Sequence, residues 1–301
     1  MPTKRVGIIG AGTMGKGVAQ LVAANGIEAY IIELTEELAQ EAIRGIEENI
    51  DAEIAKWGMT ESEKRAVLSR IFTSTDYGIL NQKRAEVVIE CVPEDLEIKK
   101  SVFKRLDELL DHDALLITNT ATLSITEIAA DLNRKDMLIG MHFLNPVPKT
   151  PLVEVVRGMA TSDETYKRAR DFAEELGKTP VEVFEYPGYI TARVIVPLLN
   201  EALYVLMEGV ASAEDIDTAI RLGFNFGVGP LTLADQIGLD ELLLWMESLF
   251  SELGESKYRP CPLLRKLVRA GFLGKKVRKG IFEYDENGAR IPGTSPLSYH
   301  R

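Results

Sequence analysis

Three histidines occur in this chain, and one of them stands where a proton acceptor is useful. His112 lies in the charged turn Asp111-His112-Asp113 and His300 stands beside the C-terminus, so both are expected to be solvated. His142 ends the apolar run Leu138-Ile139-Gly140-Met141, at the carboxyl end of an expected strand, where open parallel sheets bind ligands. Imidazole titrates near neutrality, which suits it to take a hydroxyl proton. Further on, Glu154 interrupts the run Leu152-Val153-Glu154-Val155-Val156. A carboxylate there needs a partner, because burying it unpaired is costly. A His142–Glu154 dyad would fix the imidazole tautomer and stabilise the imidazolium formed on proton transfer. Spacing alone does not bring the two together. A structural strand-end histidine and a carboxylate on a solvated edge strand are the alternatives.

A second group of residues points to a dinucleotide. Arg5-Val6-Gly7-Ile8-Ile9 runs into Gly10-Ala11-Gly12-Thr13-Met14-Gly15, and a helical pattern (Val18, Leu21, Val22) follows at once. Gly10 permits the tight turn, Gly12 lets the backbone approach a pyrophosphate, and Gly15 lets helix and strand pack closely. Free N–H groups and the helix dipole then hold the phosphates. Glu33 closes the next apolar run, Ala29-Tyr30-Ile31-Ile32, as that context requires. A nicotinamide cofactor implies hydride transfer, and oxidising an alcohol needs a base such as His142.

The elements that must hold these groups are legible in outline. Apolar runs at Glu86–Val92, Leu115–Thr118 and Met137–Phe143 read as parallel strands buried on both faces. Amphipathic stretches Asp95–Leu110 and Ser124–Leu132 separate them, and Leu152–Val156 precedes a helix from Ser162 to Leu176. This alternation predicts a doubly wound α/β, Rossmann-type domain with a mostly parallel sheet over residues 1–186. Thr35 caps a long helix (Leu38, Ile43, Ile46, Ile50, Ile54) that ends at Lys56-Trp57-Gly58, and Thr60-x-x-Glu63 opens a second helix. The hairpin so formed either decorates the fold or covers a ligand. From Tyr189 onward the pattern is helical: Ile190–Glu208, Ser212–Leu222, Leu231–Leu253 and Pro262–Ala270, with one short strand at Ile281–Tyr284. Residues 187–301 are therefore expected to form an all-α domain. The apolar cluster Leu242-Leu243-Leu244-Trp245 with Leu249 makes it a candidate dimerisation element.

Composition bounds the function. With 301 residues the chain suits two domains, and a net charge of −11 argues against nucleic acid and acidic lipid as partners. Cys91 and Cys261 have no paired spacing, so neither a disulfide framework nor a metal site is expected. A strand begins within the first residues and no apolar run reaches membrane-spanning length, so a cytoplasmic enzyme without a signal peptide or membrane partner is expected.

His142-Phe143-Leu144-Asn145-Pro146 followed by Leu152-Val153-Glu154 resembles the His-Phe-x-Asn-Pro…Leu-Val-Glu signature of the L-3-hydroxyacyl-CoA dehydrogenases. Asn119-Thr120, Pro187-Gly188-Tyr189-Ile190, Glu214-Asp215-Ile216-Asp217, Gly229-Pro230 and Gly274-Lys275-Lys276 fall in that family's order, so the resemblance covers nearly the whole chain. It implies NAD as cofactor, an acyl-CoA oxidised at its 3-hydroxyl as in fatty acid metabolism, a homodimer, His142 as base and Glu154 as its partner. Gly10, Gly12, Met14 and Gly15 would contact the pyrophosphate and Glu33 the adenosine ribose, where a carboxylate repels the 2′-phosphate of NADP. Glu94, Lys99, Asn145 and Lys276 would line the rest of the cofactor site. The hairpin would meet CoA, with Asn49 and Lys56 near the contact positions.

Two positions depart from the pattern. The family's Asn-Thr-Ser-Ser is Asn119-Thr120-Ala121-Thr122 here, and its asparagine before the arginine that follows Pro-Gly-Phe-Ile is Ala192, before Arg193. Losing one donor to a reacting oxygen costs about 3 kcal/mol of transition-state stabilisation. Thr122 and Thr191 are candidate replacement hydroxyls. The departures keep two other readings open: an NAD-dependent dehydrogenase of a small hydroxy acid or alcohol without CoA, as in lambda-crystallin-like gulonate dehydrogenases and carnitine dehydrogenases, and an inactive cofactor-binding relative.

Overall fold

A computed structural model of the chain describes residues 2–54 and 58–295; Lys56, Trp57 and His300 lie outside them. The chain divides into two compact units, Met1–Tyr189 and Ile190–Arg301.

In the first unit, β1 (Arg5–Ile9) turns through the glycines into α1 (Thr13–Ala24), and β2 (Glu28–Ile32) leads to the hairpin of α2 (Glu36–Ile54) and α3 (Glu61–Leu68). The chain continues through β3 (Ile71–Ser74), α4 (Gly78–Gln82), β4 (Val87–Glu90), α5 (Leu96–Leu109), β5 (Leu115–Thr118), α6 (Ile125–Ile128) and β6 (Leu138–Phe143). β7 (Leu152–Arg157), α7 (Asp163–Glu175) and β8 (Thr179–Phe184) follow. The strands form one sheet in the order β3-β2-β1-β4-β5-β6-β7-β8. Neighbours are parallel except β6 and β7, which are antiparallel. Parallel neighbours need a long crossover, whereas residues 144–151 contain no helix, so the chain turns straight back beside β6. Strand order reverses between β1 and β4, which opens the ligand crevice of a doubly wound sheet at their carboxyl ends.

Alternation along β1 sends Val6 and Ile8 into a core with Val18 and Val22 of α1, while Ile9 joins Leu80 and Phe103 on the other face. The α2–α3 hairpin is anchored rather than loosely attached, because Ala42, Ile46, Ile50 and Val67 share the α1 core. Thr60 and Glu63 form the expected capping box. Two strands were not expected. β3 is short, and β8 carries Pro180 and alternates weakly because it is an edge strand. The stretch Ser124–Leu132 holds only the four residues of α6.

The second unit contains α8 (Thr191–Met207), α9 (Ala213–Gly223), α10 (Pro230–Ile237), α11 (Leu239–Leu253) and α12 (Pro262–Arg269) around one apolar core. The single helix expected over Leu231–Leu253 is two, broken at Gly238, whose φ of +106° only glycine adopts readily. Ile281–Tyr284 forms isolated bridges rather than a strand. Its backbone is held by Asp235, which accepts the N–H groups of Ile281 and Phe282, both at 2.9 Å, and the Tyr284 hydroxyl at 3.0 Å.

Burial raises the Asp235 carboxyl from 3.8 to about 6 despite those three donors, and the nearby Asp217 adds to the shift. The folded pKa lies above the unfolded one, so the native unit binds the extra proton and its stability falls as pH rises through that window. The full penalty of about 3 kcal/mol is present at pH 7. Measured against Asp235→Asn, which has no carboxyl to titrate, wild-type stability should therefore improve on going from pH 7 to pH 4. A wild-type-minus-variant difference that is flat with pH would refute this.

Candidate active site

His142 and Glu154 face each other across the antiparallel β6–β7 pair, in direct register. Opposed side chains in such a pair project to the same face and touch. His142 Nδ1 is 2.6 Å from Glu154 Oε2, and both residues are buried. The carboxylate only accepts, so Nδ1 carries a proton, and in the neutral imidazole Nε2 keeps its lone pair. The Tyr189 ring lies tilted against the imidazole, centroids 5.8 Å apart, and its hydroxyl donates to the Leu123 carbonyl at 3.1 Å. Asn119 Oδ1 accepts the Phe143 N–H at 3.1 Å, tying the end of β5 to the residue after His142. The edge-strand alternative for Glu154 does not apply, because β8 covers β7.

The glycine loop fits a dinucleotide. Gly10 has φ +86°, and a Cβ on Gly15 would stand 2.0 Å from the Gly10 carbonyl oxygen. A Cβ on Gly12 would meet nothing within 4 Å, so the backbone there is open to a ligand. Gly12 is the N-cap of α1 and supplies no side-chain cap, and the first turn has no acidic residue. Its N–H groups and dipole are thus available to an anion. Met14 packs half-buried against the core. Glu33 reaches the same loop: its carboxylate accepts the N–H groups of Ala11 and Leu34.

Beyond β4, Lys99 is wholly buried, with its ammonium 2.7 Å from Glu90 and 3.4 Å from Glu94. Burial works against this charge, but Glu90 and Glu94 outweigh it and hold the lysine above its usual range. Glu94 Oε1 accepts the Thr120 hydroxyl and the N–H groups of Ala121 and Thr122, at 2.9 and 3.0 Å. Burial opposes the charge on Glu94 too, and Lys99 with these donors holds its carboxyl below the normal range. Glu94 thereby organises the loop at the position where the family pattern has serine. The buried Thr122 hydroxyl also lies 3.3 Å from Glu94, so it is committed there rather than presented to a ligand.

The remaining expected residues stand on other segments. Asn145 is exposed on the loop after β6, and Asn49 is exposed on α2. Lys276 belongs to the second unit, where it pairs with Asp240 at 2.7 Å. His112 is not solvated: its ring is nearly covered, with Nε2 2.9 Å from the Ala85 carbonyl and Nδ1 3.1 Å from Asn81 Oδ1. Glu90 and Thr118 were missed, and Thr120 was read only as part of a motif. Glu90 carried a readable signal, since it interrupts an apolar run as Glu154 does. Among the described residues no cluster of three potential metal ligands occurs, and no helix is long and apolar enough to cross a membrane.

A doubly wound sheet with a glycine loop at its switch point and a histidine–carboxylate pair at a strand end is the architecture of a nicotinamide-dependent dehydrogenase. The chain belongs to the 3-hydroxyacyl-CoA dehydrogenase family: the model of that family's NAD binding domain matches residues 5–186 and that of its C-terminal domain residues 188–284. It is 45% identical over 286 residues to a probable 3-hydroxybutyryl-CoA dehydrogenase of Bacillus subtilis, covering 95% of this chain and 99% of the relative. It is 41% identical to the 3-hydroxybutyryl-CoA dehydrogenase of Clostridioides difficile, covering 94% of this chain and all (100%) of that one. The crystal structure of (S)-3-hydroxybutyryl-CoA dehydrogenase from Ralstonia eutropha superposes with a TM-score of 0.85 at 40% identity, over 95% of this chain and 100% of the other.

Proposed function

We propose that this chain oxidises the 3-hydroxyl of a short L-3-hydroxyacyl-CoA, reversibly, with His142 as general base and Glu154 as its positioning partner. The observation that carries the reading is the 2.6 Å contact between Nδ1 and the buried carboxylate. It leaves Nε2 as the proton acceptor, and Glu154 stabilises the imidazolium that results. NAD, when bound, supplies the hydride acceptor. The N–H groups at the start of α1, with Gly10, Gly12, Met14 and Gly15, would hold its pyrophosphate and Glu33 its adenosine ribose. Glu94, Asn145 and Lys276 are proposed to line the rest of the cofactor site. Lys99, having no exposed surface, acts there through Glu94. Asn49 on α2 is proposed for CoA, and so is Lys56.

We divide the chain at 186/187 into a cofactor domain and a helical domain for substrate and dimerisation. The limits of the two family matches support that boundary. Of the leucine cluster expected to dimerise, Leu242 and Leu249 are buried in the helical core, so support for a homodimer there comes instead from the exposed apolar side chains at Val194, Leu222 and Phe224. A cytoplasmic location belongs to the same reading.

A substrate panel tests the proposal. Acetoacetyl-CoA should be reduced with loss of NADH absorbance, and free 3-hydroxy or 3-keto acids should turn over at least about a hundredfold more slowly. Turnover of the free acids alone would replace this reading by the dehydrogenase of a small hydroxy acid or alcohol, which Ala121 and the committed Thr122 hydroxyl favour. Turnover of any of these substrates excludes an inactive relative.

A further inference from the structure

One buried cation has no part in the chemistry described so far. Lys178, between α7 and β8, is 7% exposed. Its ammonium donates to the carbonyls of Val147 at 2.6 Å and Thr150 at 2.7 Å, with the Pro148 carbonyl at 3.5 Å. Burial lowers its pKa, and among the described residues no carboxylate compensates. A buried ammonium held by main-chain carbonyls alone satisfies acceptors that would otherwise be orphaned, and so fixes the path of the chain that bears them.

That chain is the connection between the two halves of the dyad. Residues 144–151 join β6, which carries His142, to β7, which carries Glu154. Within it Asn145 is exposed and Val147 is buried. Val147 packs against α1 at Gly17, where a Cβ would come within 2.9 Å of the valine Cβ. Lys178 therefore grips a loop that touches the cofactor helix at one point and presents Asn145 at another.

We infer that Lys178 is a positioning residue of the reaction: it clamps residues 144–151 so that Asn145 and α1 keep their places relative to His142. This rests on the activity proposed above. A displacement of about 1 Å at a reacting centre costs on the order of a hundredfold in rate. The clamp thus predicts a loss in kcat rather than in acyl-CoA affinity.

The test uses the full chain with NADH, as wild type, Lys178→Met and Lys178→Gln. Amide exchange is followed by mass spectrometry in peptides covering 144–151 and 138–143, and acetoacetyl-CoA reduction is assayed on the same preparations. In Lys178→Met, exchange at 144–151 should quicken by at least about tenfold with 138–143 unchanged. Its kcat should fall by about a hundredfold at a KM within roughly twofold of wild type. Lys178→Gln keeps two N–H donors and should lie between. A kcat within about twofold of wild type overturns the inference, as does faster exchange throughout the first unit with activity lost only in proportion to the unfolded fraction. Should Lys178→Met fail to fold, Lys178→Gln decides by the same criteria. Should the wild type reduce no acyl-CoA, the functional proposal fails, while the exchange at 144–151 still decides whether the clamp exists.

Discussion

Replacing His142 by Gln should lower kcat by about 10²–10⁴-fold while leaving NADH affinity close to wild type. The separation is expected because the side chain stands on β6, whereas the glycine loop and Glu33 belong to β1, α1 and the end of β2. Glu154→Gln should be nearly as damaging, for a different reason. A glutamine amide can offer its NH₂ to Nδ1, which moves the imidazole proton to Nε2 and removes the lone pair that must take the hydroxyl proton. The analogous loss of tautomer control in a serine protease triad costs about 10⁴-fold. Stopped-flow and steady-state assays of both variants, with NADH binding followed by fluorescence, check the pair. Near-normal turnover in His142→Gln would rule the mechanism out.

What made this dyad legible was the break in pattern. A histidine and a glutamate each ended or interrupted an apolar run, and a polar group in such a run must be paired. The direction of β7 was not read from the sequence; it follows from the absence of a helix in residues 144–151, and only the register turned proximity into contact. The turn at Gly10 and the close packing at Gly15 were readable because both are set by the backbone itself. Side-chain commitments were not. Thr122 looked like a spare hydroxyl and is turned onto Glu94, and His112 looked solvated and is covered by Asn81 and Ala85. Both depend on chain segments distant in sequence. β8 escaped for a local reason: Pro180 and Glu182 interrupt the continuous apolar run that marks an interior parallel strand, which an edge strand tolerates. Gly238 escaped because one glycine in a helical run is as compatible with a continuing helix as with a break.

The largest stability effect should come from Lys99→Met. The substitution leaves Glu90, wholly buried at the end of β4, without its 2.7 Å partner, and leaves Glu94 without the cation behind it. Breaking a buried ion pair from one side costs about 3–5 kcal/mol, because the remaining charge is uncompensated. For a unit of this size that corresponds to a fall in melting temperature of roughly 10 °C. The hydroxyl of Thr118 and the N–H of Val92, both donating to Glu90 at 2.7 Å, soften the loss without supplying a charge. Adding Glu90→Gln to Lys99→Met should therefore recover part of the stability, since it removes the stranded charge and keeps an acceptor for one of those donors. Denaturant unfolding of the single and double variants measures this directly. A Lys99→Met midpoint indistinguishable from wild type would refute the pairing. The same variants separate two ways in which Lys99 could matter for the cofactor. If it acts only by holding Glu94, and through Glu94 the N–H groups of Ala121 and Thr122, then Glu94→Gln should weaken NADH binding as much as Lys99→Met does, with the smaller cost in stability, because Glu94 is the partly exposed member of the cluster.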